Sequence, residues 1–262
     1  MVKQSPKQIE IRQRESRILH LARPMVATGG IAALSMDAIA QKMRYAKGTI
    51  YNHFSCKEEI LLALAIQSTE TRLSLFHVAK QSESTSRNSM AAIGIACEDF
   101  RNRFADLFAI ETLVRHDSIW EKASDQRRET LMDCESRTMS LVASVGRHAI
   151  EAGDLSIPRG TKVEEIVFGL WSLTYGGMMI DSTSPGLSKI GVRDTLAAIR
   201  RNCNAMMDGY GWLPLYDAAS YRKLVTRVRA TLLRQIPTHS VAITNDESPT
   251  GYSIVSVPTQ TP

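Results

Sequence analysis

Apolar residues recur at three- and four-residue intervals along almost the whole 262-residue chain, the spacing that turns one side of an α-helix toward a core. Ile18, Leu21, Ala22, Met25 and Val26 keep this rhythm, as do Met36, Ile39, Ala40 and Met43. Further along, Ile93, Cys97, Phe100, Phe104 and Leu107 repeat it, then Val163, Ile166, Val167, Leu170 and Trp171. Val192, Leu196, Ile199, Cys203 and Met206 follow, and finally Tyr221, Leu224, Val225, Val228 and Leu232. The longest strand-like alternation is Tyr252 to Val257. The chain is predicted to be all-α. With 44% hydrophobic residues it can bury a substantial core, and with only 6% aromatics it favours helix over sheet.

Capping and breaking residues divide this pattern. The first helix should stop at Gly29-Gly30 and kink at the internal Pro24. Ser35 is placed to N-cap a short second helix, with Asp37 at its favourable dipole end, and a third begins near Ala46. Ser55-Cys56-Lys57-Glu58 matches a capping box opening a long helix to about Lys80. Gln81 to Ser89 reads as a loop, Glu111 to Trp120 as a broken stretch, and Leu131 to Glu151 as a helix closed by Gly153. Thr161-Lys162-Val163-Glu164 is a second capping box, Gly209, Gly211 and Pro214 end the helix before them, and Ala218 to Gln235 forms the last. The expected domains are 1–60, with a linking helix over 55–80, then 61–236, then a disordered polar tail over 237–262.

Charge is unevenly placed. Residues 1–60 hold ten of the 32 basic residues and five of the 27 acidic ones, so 22 of each remain and the excess of +5 lies wholly in the first quarter. A basic end on a neutral body points to a polyanionic partner for that end. Cys56, Cys97, Cys134 and Cys203 are far apart and show no metal-ligand spacing, which fits a reducing, cytoplasmic setting without cofactor or metal. The longest uncharged stretch, 166–180, is short of the roughly 20 residues a membrane span needs.

Two short helices joined by a tight turn and followed by a long one make a DNA-reading headpiece. The runs Ser35-Met36-Asp37-Ala38-Ile39-Ala40, Lys47-Gly48-Thr49-Ile50-Tyr51-Asn52-His53-Phe54 and Lys57-Glu58-Glu59-Ile60-Leu61 closely resemble the N-terminal domain of the TetR/AcrR family. The resemblance is specific across residues 14–65 and places a helix-turn-helix at Ser35 to Phe54. It implies DNA contact by Lys47, Thr49, Tyr51, His53 and Lys57, and a phosphate contact from Ser35. Tyr45 and Asn52 are further candidates to face the groove. Ile39, Met43, Ile50 and Phe54 should form the small core. Two positions depart from the family pattern. Arg44 stands where glycine is usual in the turn, costing about 1 kcal/mol unless a phosphate contact offsets it. Ala46 stands where serine is usual and gives up an N-cap worth about 1 kcal/mol.

The same resemblance implies a C-terminal helical domain that binds an effector and dimerises, here through 161–208, with Gly169, Gly176 and Gly177 suiting a bundle across a two-fold axis. Polar residues interrupting apolar faces, Arg101, His116, Cys134, Thr138 and His148, are candidate ligand contacts. No nucleophile elbow, P-loop or metal motif appears, which argues against an enzyme. The expectation is a dimeric repressor on a palindromic operator, released by a small molecule; the alternative is an architectural or division-linked DNA-binding protein without one.

Overall fold

The structure is a computed structural model that describes residues 5–115 and 117–237, with backbone alone at Asp117. The tail over 238–262, Lys3 and His116 lie outside the described residues. Twelve α-helices run through the described part, which contains no strand: α1 (Pro6–Ala33), α2 (Met36–Met43), α3 (Lys47–Tyr51), α4 (Lys57–Gln81), α5 (Ser86–Arg103), α6 (Ala105–Leu113), α7 (Asp117–Trp120), α8 (Asp125–Glu151), α9 (Val163–Trp171), α10 (Gly177–Thr183), α11 (Thr195–Gly209) and α12 (Ala218–Gln235). A π-helical turn, Ser172–Gly176, joins α9 to α10, and a 3-10 turn spans Leu187–Ile190.

Several boundaries differ from expectation for local reasons. α1 starts twelve residues before Ile18, because Ser5 caps it, Gln8 reaches back to the Ser5 N–H at 2.9 Å, and Pro6 sits where a missing N–H costs nothing. Its break does fall at the glycine pair, where Gly30 has φ 63° and ψ −161°. α4 opens at Lys57 without a box on Ser55; Glu58 instead lies 3.5 Å from the Lys122 ammonium. The expected loop over 81–89 shrinks to 82–85, since Thr85 Oγ1 accepts the Asn88 N–H at 3.3 Å and starts α5 early. The single helix expected over 93–107 breaks at Phe104, whose backbone is non-helical (φ −124°, ψ 45°). The second capping box slips by one residue, with Glu165 accepting the Lys162 N–H at 2.8 Å.

The chain forms two compact units interleaved in sequence. One unit comprises residues up to 72 with 101–136. Its core holds Ile18, Leu19, Ile39, Ile50, Phe54, Leu61, Leu64 and Phe104, all at most 1% exposed. Within it α1 packs on α6, where Arg23 makes a two-pronged pair with Asp106 whose Nη2–Oδ1 arm is 2.8 Å. Burial alone would raise the Asp106 carboxyl, but Arg23 and the Leu107 N–H together hold it below its ordinary value.

The other unit comprises 73–100 with 137–236. Trp212, Phe100, Ile166, Val228 and Leu232 are buried there, and Gly177 lets α10 approach α11 closely: a Cβ at Gly177 would come within 2.6 Å of Ile199 Cγ1. Gly169 likewise faces Met206. These two glycines give close packing within the subunit itself.

Candidate nucleic-acid interface

The helix-turn-helix is built as its sequence implies. Ser35 Oγ accepts the Ala38 N–H at 3.2 Å and starts α2. Arg44 ends α2 in the left-handed region (φ 58°, ψ 41°), the one non-glycine residue with positive φ among the described residues. That turn lets the Tyr45 N–H reach the Ala40 carbonyl at 3.0 Å. Ala46 gives α3 no side-chain cap. Ile39, Met43, Ile50 and Phe54 are all buried, forming the small core as expected.

With those residues inward, the outer side of α3 presents Lys47, Gly48, Tyr51 and Asn52, all exposed, beside exposed Arg44. Thr49, Tyr45, Ser35 and Lys57 are half-buried. Lys47 is ion-paired with Asp37 of α2, and that hydrogen bond and charge raise its pKa above the ordinary lysine value. Both partners are exposed, so the pair is of the weak surface kind and open to exchange for another anion. A Cβ on Gly48 would meet nothing within 4 Å, so no contact inside the chain requires glycine there.

His53 does not join this outer face. Its side chain is only 8% exposed and Nδ1 lies 3.7 Å from Glu15 of α1, which leaves it the least open of the candidate contacts. Arg14 and Arg17 of α1 stand over the Tyr45 ring, with guanidinium carbons 5.9 and 6.0 Å from its centroid.

The first turn of α4 carries Lys57 beside two acids, an awkward neighbourhood for an anion. Both acids are turned inward. Glu58 pairs with Lys122, and Glu59 accepts the Ser124 N–H and Arg127 Nε, the latter at 2.8 Å. Desolvation alone would raise the Glu59 carboxyl, yet these donors hold it below its ordinary value. Arg127 also lies over the Phe54 ring at 5.0 Å. The helix N-terminus beside Lys57 is thus shielded from its own carboxylates. Sequence reasoning misses the grouping of Glu59, Ser124 and Arg127; nothing short of the fold joins positions this far apart.

Residues 18–64 match the family model described as bacterial regulatory proteins of the tetR family. These residues form a TetR-family domain. The HTH-type transcriptional regulator UidR of Escherichia coli K12 is 35% identical over 69 residues, 26% of this chain and 35% of UidR. The match thus spans about a third of that regulator's length. The fold agrees with TetR-family structures over a longer range. The regulator PfmR from Thermus thermophilus covers 73% of this chain at TM-score 0.55 and 18% identity, with 97% of PfmR covered. A transcriptional regulator from Saccharomonospora viridis, in complex with choline, covers 75% at TM-score 0.57 and 17% identity, with 96% of that chain covered. The fatty acid degradation regulator FadR from Bacillus halodurans covers 82% at TM-score 0.57 and 14% identity, with its whole length covered.

The candidate ligand residues are scattered. Arg101 is half-buried, and Cys134 is fully buried with its Sγ 3.2 Å from Glu70 Oε1. Thr138, in the other unit, is buried, whereas His148 is exposed. The first unit instead holds a polar knot that sequence reasoning misses: Glu111, 4% exposed, accepts Ser68 Oγ at 2.8 Å and lies 3.2 Å from Arg72. The run Ser68-Thr69-Glu70-Thr71-Arg72, polar yet inside a buried helix, is its signal.

Arg44 carries a direct test. Arg44→Gly should raise stability by about 1 kcal/mol, or roughly 2–4 °C in Tm, by relieving the left-handed strain. Differential scanning calorimetry checks this, and an unchanged or lower Tm would show that the turn is not strained.

Proposed function

We propose that the protein is a dimeric DNA-binding transcription regulator, a repressor whose DNA affinity is lowered by a small-molecule effector. One observation carries the DNA reading: the exposed side of α3 carries Gly48, a local cost that no contact inside the chain requires, beside the exposed cations Arg44 and Lys47. Glycine lets a backbone approach the duplex, and Arg44, Lys47 and Lys57 supply charge for phosphates. Tyr51 and Asn52 are the side chains offered to base edges, with Thr49 and Ser35 at the margins. The family match over the same residues supports this reading.

The dimer rests on α9 and α10. Phe168 is 60% exposed and Ile180 51% exposed, and Phe168, Trp171 and Tyr175 form an aromatic ladder with centroids 6.2 and 6.1 Å apart. A second copy of the chain is the proposed occupant of this ladder, as a two-fold operator requires a two-fold protein. The effector reading is supported by the buried polar residues of α4 and α6, and by the choline held by a regulator of the same fold. The duplex upstream of the protein's own gene is the first probe. Tight, salt-sensitive binding in fluorescence anisotropy is expected, and Lys57→Ala should lower the slope of log K against log salt by about 0.9. Absence of binding at low salt would overturn the proposal.

A further inference from the structure

We propose that Arg14 and Arg17, on the part of α1 before residue 18, where the family match begins, form with Tyr45 an additional phosphate-binding site for duplex DNA. The proposal rests on the DNA-binding reading and enlarges its footprint. The matched domain begins at residue 18, yet α1 begins at Pro6 and is closed by the Ser5–Gln8 capping box. Twelve residues that composition alone would assign to a loose basic arm are therefore a rigid rod, about 18 Å long at 1.5 Å per residue.

Rigidity fixes where the charges stand. Arg14 and Arg17 are three apart and share one helix face, and Lys7, two turns earlier, continues the same stripe. Both guanidiniums sit over Tyr45 at cation–π distance. Tyr45 follows Arg44 directly and lies two residues before Lys47, so the arginines are held beside the entrance to α3, not along a remote flank. Glu10 is the carboxylate paired with Arg14, through an exposed pair one helical turn apart that contributes only tenths of a kcal/mol. Among the described residues no carboxylate pairs with Arg17, which is exposed. Two cations thus share one ring with little acid to neutralise them. A phosphate oxygen pair fits the guanidinium fork and relieves their mutual repulsion. Contacts of this kind position a protein on the duplex without reading sequence.

The measurement is the salt dependence of binding to a mixed-sequence duplex of about 30 base pairs, a probe that needs no knowledge of the operator. Wild type, Lys57→Ala and the double variant Arg14→Gln/Arg17→Gln are compared, with circular dichroism as the folding check. The double variant should lose about 1.8 from the slope, while Arg14→Lys/Arg17→Lys should keep most of it because charge is retained. Should the double variant lose helicity, Arg17→Gln alone decides, with an expected loss of about 0.9. A Gln slope equal to wild type, alongside a Lys57→Ala slope that does fall, would overturn this site and leave the DNA reading standing. Failure of the Lys variant to retain the slope would show that the arginines act by packing and would also overturn it. A wild type without measurable binding would remove both.

Discussion

Arg87→Ala is expected to destabilise the unit built from 73–100 and 137–236 by about 3–5 kcal/mol. Arg87 is 3% exposed. Its Nη1 donates to the Trp212 carbonyl at 2.7 Å, and its Nη2 reaches the Asn204 carbonyl at 3.3 Å and Asp208 Oδ1 at 2.7 Å. One side chain therefore ties the start of α5 to the end of α11 and to the turn that follows it. Truncation would leave the Trp212 and Asn204 carbonyls without their donor and the Asp208 carboxylate without its cation. Trp212, fully buried with its indole N–H on Ser86 Oγ at 3.0 Å, is the natural reporter. Urea unfolding followed by tryptophan fluorescence should show the midpoint fall sharply. Arg87→Lys should recover little, because one ammonium cannot reproduce the planar fork that serves three acceptors. A midpoint within experimental error of wild type in the Ala variant would show that Arg87 does not hold this corner.

The second large effect separates assembly from folding. With only the apolar stripes in view, Leu170 and Ile199 are the places to break a dimer. In the structure they are 7% and 6% exposed within a single chain, and Ile199 packs against Gly177. Glutamate at either site buries an unpaired charge and should unfold the subunit at a cost of several kcal/mol. Phe168, by contrast, faces outward. Phe168→Glu should leave the monomer's helicity and unfolding midpoint nearly unchanged while converting a dimer to monomers in light scattering at micromolar concentration. Binding to a palindromic duplex should then weaken by orders of magnitude, because two linked half-sites become two separate events. A Phe168→Glu protein that stays dimeric would move the interface elsewhere.

What can be read from the sequence follows what is local. Ser35 and the inward Ile39, Met43, Ile50 and Phe54 stand where spacing and capping chemistry put them, and Arg44 and Ala46 where the family resemblance implies, because each is decided within a few residues. The surroundings of His53 are not decided so locally: Glu15, 3.7 Å from its Nδ1, lies 38 positions earlier on α1, and only packing reveals it. The full length of α1 escapes periodicity because Ser5-Pro6-Lys7-Gln8 is a start signal followed by few apolar residues. Apolar stripes tell that a face is covered, but not by what, and Leu170 and Ile199 turn out to be covered by their own chain. The ligand residues are the least legible, since a polar residue on an apolar face has the same signature whether it meets a ligand or, like Cys134, a neighbouring glutamate.

The π-helical turn between α9 and α10 sets a rule for insertions and deletions. Over Ser172–Gly176 the helix is wound more widely, which accommodates an extra residue without ending the rod. Losing one residue there, with the segment relaxing to ordinary winding, would leave the faces on either side nearly where they are, because the wide turn spends its extra residue on almost the same net rotation. Met178, 2% exposed, would stay in the core and Gly177 would stay opposite Ile199. A residue lost from an ordinary turn of α9 or α10 has no such outlet: it rotates everything beyond it by about 100° and swings Met178 outward. The wide turn is therefore the one place between α9 and α10 where the residue count can change by one.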